Sequence, residues 1–446
     1  MPRGIRSLSP VAGLALLLTA FLPLGCAQQT GDVRMTATSA AGRQAFAQST
    51  DWSGESGASG HPQMTAAAIR DAAADFEQCL SRLAPAAERR GISRATYQTH
   101  TRGLTPDLKI MDLVDAQPEF TKSFWEYLDL LVSEERIARG RQILALHRSS
   151  FDIAEKHYGV DRHIIAAIWG IESKYSTMIG ERSVVRSTAT LACIGRRQDY
   201  FRGEFLAALE LLERGDVTVE QLKGSWAGAF GPTQFMPTVY RNYAVDFDGD
   251  RRRDVIGSVP DLVASTANYL KRNGWESGQA WGYEVIVPKK FNYMLADRSR
   301  QLSLQEWEKH GIRRPSDEPF PRAGERAHLL VPAGAQGPGF LMLHNFRVIM
   351  RYNPAEAYAL AIGHLADRLR GGAAFAQPWP RHERVLTLAE RAEMQQLLAR
   401  RGYDAGETDG RFGAKTRAAI RQFQAASGLV PDGFASETVL ARLRGS

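Results

Sequence analysis

The run Ile164-Ile165-Ala166-Ala167-Ile168-Trp169-Gly170-Ile171-Glu172-Ser173-Lys174-Tyr175 constrains this chain more than any other feature, because it is a helix-like apolar stretch that ends in a single carboxylate. A carboxyl held against Ile and Trp is poorly solvated as an anion, so its pKa is expected to rise and it can keep a proton long enough to donate it. Breaking a glycosidic bond requires such a donor. On that segment alone a solvated edge residue is the commoner reading. A second segment, Ser225-Trp226-Ala227-Gly228-Ala229-Phe230-Gly231-Pro232-Thr233-Gln234-Phe235-Met236-Pro237, is too glycine-rich and too specific to be filler, and it changes the balance.

With 446 residues, 44% of them hydrophobic, the chain can hold two or three domains and a substantial core. No internal stretch is long and apolar enough to span a bilayer. The net charge of +7 suits an anionic surface or polymer, or is a solvated face rich in Arg. Nucleic acid is not an expected partner, since there is no nucleic-acid motif, clustered basic helix or aromatic-stacking pattern.

Arg3 and Arg6 precede an apolar run from Val11 to Leu22, the charged and hydrophobic regions of a secretory signal. The run ends in Leu22-Pro23-Leu24-Gly25-Cys26, which looks like a bacterial lipobox with Pro23 where Leu is usual. On that reading residues 1–26 are a targeting segment and Cys26 carries lipid as the membrane anchor; ordinary cleavage nearby would leave a soluble periplasmic protein. Ala27 in place of Asp resembles Gram-negative lipoproteins of the outer membrane. The expected location is the periplasm, at that membrane.

Residues 27–62 are rich in Ser, Thr, Gly, Ala and Gln with little apolar periodicity, the composition of a flexible tether. From Met64 to Leu212 the pattern is helical: Ala74, Phe76, Cys79, Leu80 and Leu83 recur at spacings of one to four, and Phe124 to Ile137, Ile143 to Tyr158 and Phe205 to Leu212 read similarly. Helix resumes at Leu262 to Leu270 and at Arg351 to Leu369. Between Tyr283 and about Val331, Glu284-Val285-Ile286-Val287 marks a few small strands. The fold expectation is therefore mainly α, with a helical catalytic domain and small β insertion over 63–370. A Gly, Ala and Pro linker over 371–384 and a small helical unit over 385–446 follow.

Glu172-Ser173-Lys174-Tyr175 followed by the glycine-rich segment resembles the membrane-bound lytic murein transglycosylase B family, whose fold is related to goose-type lysozyme. The resemblance runs from about His61 to Leu369. It implies a lysozyme-like domain that cleaves the MurNAc-GlcNAc β-1,4 bond of peptidoglycan glycan strands, with Glu172 as acid and then base. Ordinary glycosidases need a second carboxylate, and neither motif offers one. By resemblance, the C6 hydroxyl of N-acetylmuramic acid replaces it by closing onto C1 and leaving a 1,6-anhydro end. That nucleophile is internal to the substrate, so its effective concentration is high. No cofactor is required.

The resemblance places Ser225 and Gln234 on the sugar near Glu172; a helix cap and a solvated turn are their plain alternatives. It also places Asn268 and Tyr269, with Tyr352, Asn353 and Tyr358, along the glycan cleft, where a Tyr ring can pack on a sugar face while its hydroxyl makes a directional bond. Gly228 and Gly231 either let backbone approach the glycan or simply make tight turns. Trp226, Phe230 and Phe235 read as core packing.

Asp246, Asp248 and Asp250 alternate as ligands of a calcium loop do, and the family resemblance implies Asp261 as the matching late ligand. Arg251 stands where the sharp turn wants Gly, and Gly257 replaces the twelfth-position Glu. Structural calcium and a solvated loop of mutually neutralising Asp and Arg both fit. Gly402-Tyr403, Asp409-Gly410-Arg411-Phe412-Gly413, Thr416-Arg417, Phe423-Gln424 and Asp432-Gly433 resemble the three-helix peptidoglycan-binding domain of wall hydrolases; composition and spacing alone show a small helical bundle. Cys79 and Cys193 remain in the mature chain. An oxidising compartment permits them to pair, although two buried thiols would look the same in sequence. The competing functions are a hydrolytic muramidase and a non-catalytic wall-binding protein.

Overall fold

The computed structural model describes residues 52–57, 60–114 and 122–445. The targeting segment, Cys26 and most of the expected tether lie outside the described residues. Where the tether ends is visible: Trp52 packs on the helical core beneath the Arg70 guanidinium, and Ser53 bonds Asp112, so the chain is already seated by residue 52.

Two helices organise the larger domain. Arg162–Ser173 is capped by Asp161, whose carboxylate accepts the His163 N–H, and Ile164 through Gly170 are buried on every side. It packs against Glu356–Arg370, where Ala357 through Ala366 are all buried and Gly363 leaves room for the Trp281 ring. Helices this apolar all round can only be interior. Val184–Cys193 and Gln198–Glu213 form a second pair, and Val259–Arg272 lies on Arg148–Tyr158. Cys79, in helix Phe76–Arg89, is joined by a disulfide to Cys193, with Cα atoms 6.0 Å apart.

Several expected helices are cut. The run from Phe124 breaks after Leu131 because Ser133 caps a new helix, Glu134–Leu146, and that helix in turn stops at His147. The last helix of the domain begins at Glu356, not Arg351. Pro354 pushes Asn353 away from helical geometry, and Tyr352 and Asn353 are left in a turn facing the core. Helix His344–Ile349, just upstream, had no sequence signal strong enough to mark it.

The β insertion is a four-stranded antiparallel sheet with spatial order Gly282–Val285, Gly339–Met342, Arg326–Leu330, Leu302–Ser303. Alternation assigns its faces: Phe340, Met342 and Leu330 enter the main helical core, whereas Leu341, Leu329 and Ala327 enter a smaller core around the buried Trp307. His328 therefore points away from the Trp307 side.

The C-terminal helices Leu388–Arg400, Ala414–Ala426 and Glu437–Arg444 enclose their own core of Met394, Leu398, Ile420, Phe423 and Leu440. Gln395 and Gln424 are buried and each secures an Asp-Gly turn, accepting the N–H of Gly410 and Gly433, both at 2.8 Å. The unit is docked rather than trailing. Arg417 pairs with Glu356, Arg421 with Asp297 at 3.0 Å, and Asp432 accepts the Ala335 N–H. The connecting residues are also seated: Phe375 stacks on His364 with ring centroids 3.8 Å apart, Trp379 lies against Trp125 and Phe340, and the Gln377 amide donates to the Val285 carbonyl.

Candidate active site

Glu172 occupies the final turn of Arg162–Ser173, half-buried, where the helix ends in an uncommon way. Lys174, Tyr175 and Ser176 have φ of 48°, 55° and 71°, three consecutive left-handed residues without a glycine among them. Such residues cost of order 1–3 kcal/mol each and persist only where the surroundings over-determine them. Here they do. Ser173 Oγ accepts the Ser176 N–H at 2.9 Å, Trp169 Nε1 donates to Ser176 Oγ at 3.0 Å, and the Tyr175 ring fills a notch between Gly140 and Gly170. A Cβ at Gly170 would lie 2.6 Å from that ring. The Gly-x-Glu-Ser-x-Tyr pattern is thus a lock that holds the carboxylate at a fixed helix end.

The glycine-rich segment folds into a compact double turn. The Ser225 N–H donates to the Ala229 carbonyl while Ser225 Oγ accepts the Ala229 N–H, and Phe230 and Phe235 exchange both of their backbone bonds. Gly228 has φ of 90°, and a Cβ there would meet the Thr188 side chain at 2.4 Å; the turn and its packing account for this glycine. Gln234, itself left-handed at 52°, donates its amide to the carbonyls of Ile179 and Gly231 at 3.0 and 2.8 Å, tying the turn to the segment that follows Glu172. Phe230 and Phe235 are fully buried, as expected of core residues. Glu204, which sequence reading passed over, anchors the far end by accepting the Thr238 N–H and hydroxyl. Its signal was an isolated acid inside an apolar helix.

A third element completes the cleft. The Tyr358 hydroxyl donates to Glu172 Oε1 at 2.5 Å. Tyr352 lies close enough for the Glu172 charge to act on it, but its hydroxyl donates to the Thr233 carbonyl at 2.6 Å. Burial, reinforced by the Glu172 carboxylate, pushes both phenols well above their ordinary range, so each stays a donor. Tyr269 packs on Tyr352 with ring centroids 5.0 Å apart and donates to the Arg351 carbonyl, while Tyr243 lies edge-on to Tyr269 at 4.9 Å. Asn268 gives its amide to the Tyr243 carbonyl, and Asn353 Oδ1 accepts the Ala355 N–H ahead of the helix bearing Tyr358. Tyr358 is therefore on the carboxylate, whereas Tyr269, Tyr352 and Asn268 spend these bonds holding the wall together.

Asp246, Asp248, Asp250 and Asp261 form a separate cluster, each offering a carboxylate oxygen within 4.8 Å of the others. Asp261 is fully buried and accepts the N–H of Phe247 and Asp254; burial pushes its carboxyl up, and Asp248 adds to this. Arg251 adopts φ of 73°, the left-handed turn expected of a glycine at that place. Four converging hard oxygens with one of the acids buried suit a calcium ion.

Such a helical fold, with one carboxylate at a helix end under a tyrosine-lined wall, is lysozyme-like. The Transglycosylase SLT domain model matches residues 75–367, and a peptidoglycan binding domain model matches residues 387–443. The chain belongs to the SLT transglycosylase family, as a peptidoglycan lytic transglycosylase of the B type with a peptidoglycan-binding domain. SltB3 from Pseudomonas aeruginosa, solved with NAG-anhNAM-pentapeptide and with NAG-NAM-pentapeptide, is 44% identical; the match covers 83% of this chain and 99% of that one, with TM-scores of 0.79 and 0.80. Slt35 from Escherichia coli in complex with calcium is 26% identical over 66% of this chain and 92% of that one, with a TM-score of 0.56. Membrane-bound lytic murein transglycosylase B of Escherichia coli strain K12 is 29% identical over 247 residues, 54% of this chain and 66% of that protein, just under two thirds of its length.

Proposed function

We propose that this enzyme cleaves the MurNAc-GlcNAc β-1,4 bond without consuming water. Glu172 protonates the glycosidic oxygen as the C1–O bond breaks. As a carboxylate it then removes the proton of the C6 hydroxyl while O6 bonds to C1, which regenerates the acid and leaves a 1,6-anhydro-N-acetylmuramic end. The Tyr358 to Glu172 hydrogen bond carries this reading, because it brings the carboxylate and the last cleft segment into one site. Tyr358 orients the carboxylate for both steps. Ser225, Gln234, Asn268, Tyr269, Tyr352 and Asn353 form or brace the wall that receives the sugars. The four aspartates would hold calcium as a structural ion, with no part in the chemistry. The same reading puts the enzyme in the periplasm, lipid-anchored through Cys26 to the outer membrane, where its polymer lies.

Purified sacculi digested in ¹⁸O-labelled water test the chemistry. Unlabelled anhydro ends are expected, and none should form with Glu172→Gln, whose amide can neither donate nor accept the required proton. Reducing ends that carry the label would make the enzyme a hydrolytic muramidase. Unchanged lysis by Glu172→Gln would remove the assignment altogether.

A further inference from the structure

A cavity of about 480 Å³ lies away from Glu172, at the joint between the larger domain and the C-terminal helices. Its size is that of a site for a small ligand. One wall is Pro354 through Ala357, immediately ahead of Tyr358, and the opposite wall comes from the C-terminal unit at Phe412, Arg417 and Phe434. Leu330, Pro354, Leu386, Phe412 and Phe434 supply apolar surface.

The charges around it are unequal. The lining acids are already engaged: Glu356 by Arg417, Asp297 by Arg421 and Ser299, Asp409 by the Arg411 N–H, and Asp432 by Gln424 and backbone N–H groups. Three lining cations, Lys122, Arg298 and Arg391, have no carboxylate within ion-pair distance among the described residues. Arg298 donates to the Met350 sulfur, and Arg391 has a buried Nε without a hydrogen-bond partner. His328, 1% exposed, supplies a further donor. Arg347 donates to Gln301 Oε1, which fixes that amide's orientation, so Gln301 Nε2 donates to His328 Nδ1 at 3.4 Å. The proton of the neutral imidazole is then on Nε2, and that buried atom has no partner either. Burial keeps the imidazole neutral, with its pKa pushed down to about 4. Arg298 is exposed and its charge also acts on Glu356, while Arg391 Nε and His328 Nε2 are buried; cations and an unspent donor beside apolar walls suit a ligand with several carboxylate or carbonyl oxygens and aliphatic carbon.

We propose that this cavity is a second binding site for the substrate, taking the carboxylate-bearing stem peptide of the glycan strand whose sugars lie at Glu172. The inference rests on the reading of the chain as a peptidoglycan-cleaving enzyme, and it gives the docked C-terminal unit a role in completing a pocket. Arg298 and Arg391 hold the carboxylates, and His328 Nε2 donates to a carboxylate or peptide carbonyl.

Calorimetric titration of the full mature chain tests it with a synthetic stem tetrapeptide carrying free carboxylates and with the same peptide fully amidated. The free-acid form should saturate the protein and bind at least tenfold more tightly than the amide, and the R298Q/R391Q double variant should lose at least tenfold with an unchanged melting curve. Equal affinity of the two forms, or no saturable binding, overturns the proposal, and this comparison stands on the wild-type protein even if the double variant does not fold. A peptide-free glycan oligomer should not displace the peptide; displacement would place the peptide in the Glu172 cleft and refute the second site. Cleavage of that peptide-free oligomer is followed separately, so failure of the catalytic reading shows there and not in the binding data.

Discussion

Tyr358→Phe isolates one atom of the site. The ring stays in its buried place, so no cavity opens, and the loss is the hydroxyl that donates to Glu172 Oε1 at 2.5 Å. A hydrogen bond to a charged group contributes about 1.5 to 3 kcal/mol. With 1.36 kcal/mol for each factor of ten in rate, the expected fall in kcat is roughly 10- to 150-fold. Stability should hardly move, because Glu172 is half-buried and water can replace the lost donor. Tyr352→Phe provides the contrast. Its hydroxyl serves the Thr233 carbonyl, so that variant should lose on the order of 1 to 3 kcal/mol of stability and melt a few degrees lower. Release of muropeptides from sacculi, quantified by chromatography, and thermal melting of the same preparations give both readouts. Tyr358→Phe with kcat within twofold of wild type, or with the melting loss expected of Tyr352→Phe, would refute the argument that this hydroxyl orients the catalytic carboxylate.

Replacing Cys79 and Cys193 by Ser removes a cross-link between residues 114 apart in sequence and should lower stability by roughly 2 to 5 kcal/mol, read from denaturant midpoints; an unchanged midpoint would show that the bridge contributes nothing. Calcium at millimolar concentration should raise the melting temperature of the wild type but not of Asp248→Asn/Asp261→Asn, and Arg251→Gly should strengthen the effect by relieving a left-handed non-glycine residue; a calcium response that survives the double substitution would place the ion elsewhere. Mild acid should destabilise the fold through two buried histidines. Burial lowers His328 and His364 to about 4, against about 6.5 when unfolded, so the unfolded chain binds protons that the native state refuses. Their contribution is complete above pH 6.5, is lost as pH falls from about 6.5 to 4, and changes no further below that. Melting curves across this range should show the decline, and a flatter one with His364→Phe; a melting temperature constant from pH 7 to 5 would contradict it.

The docked C-terminal unit changes what truncation should mean. Composition marks residues 371–384 as a linker, from which independent domains would follow. In the structure Arg417 pairs with Glu356, two residues ahead of Tyr358 on the same helix, and Phe375 and Trp379 bind the connecting residues to the main core. Removing residues from 385 onward would therefore take the Arg417 partner from Glu356 and uncover that carboxylate beside the site, an effect that a loose tether would not have.

What the sequence determined by itself is whatever depends on local pattern. The apolar run ending at Glu172 could only be an interior helix, alternation near Tyr283 announced a small strand, and the spacing of Asp246, Asp248 and Asp250 put three carboxylates on one loop. Composition and periodicity report burial, and burial is enough for these. Pairings between distant segments were decided only by tertiary structure. Tyr358 and Glu172 are 186 residues apart, and no periodicity distinguishes a tyrosine that meets the carboxylate from Tyr352 and Tyr269, which spend their hydroxyls on backbone carbonyls. The left-handed lock after Ser173 is invisible in sequence for the same reason: three non-glycine residues accept positive φ because Gly140 and Gly170, from two helices, open a notch for the Tyr175 ring. Likewise the charges of Arg417 and Arg391 look alike in the chain, and only packing assigns a carboxylate to one and leaves the other facing a cavity. Local preference is set by each residue and its neighbours, whereas a contact that closes a long loop exists only when the whole core has formed around it.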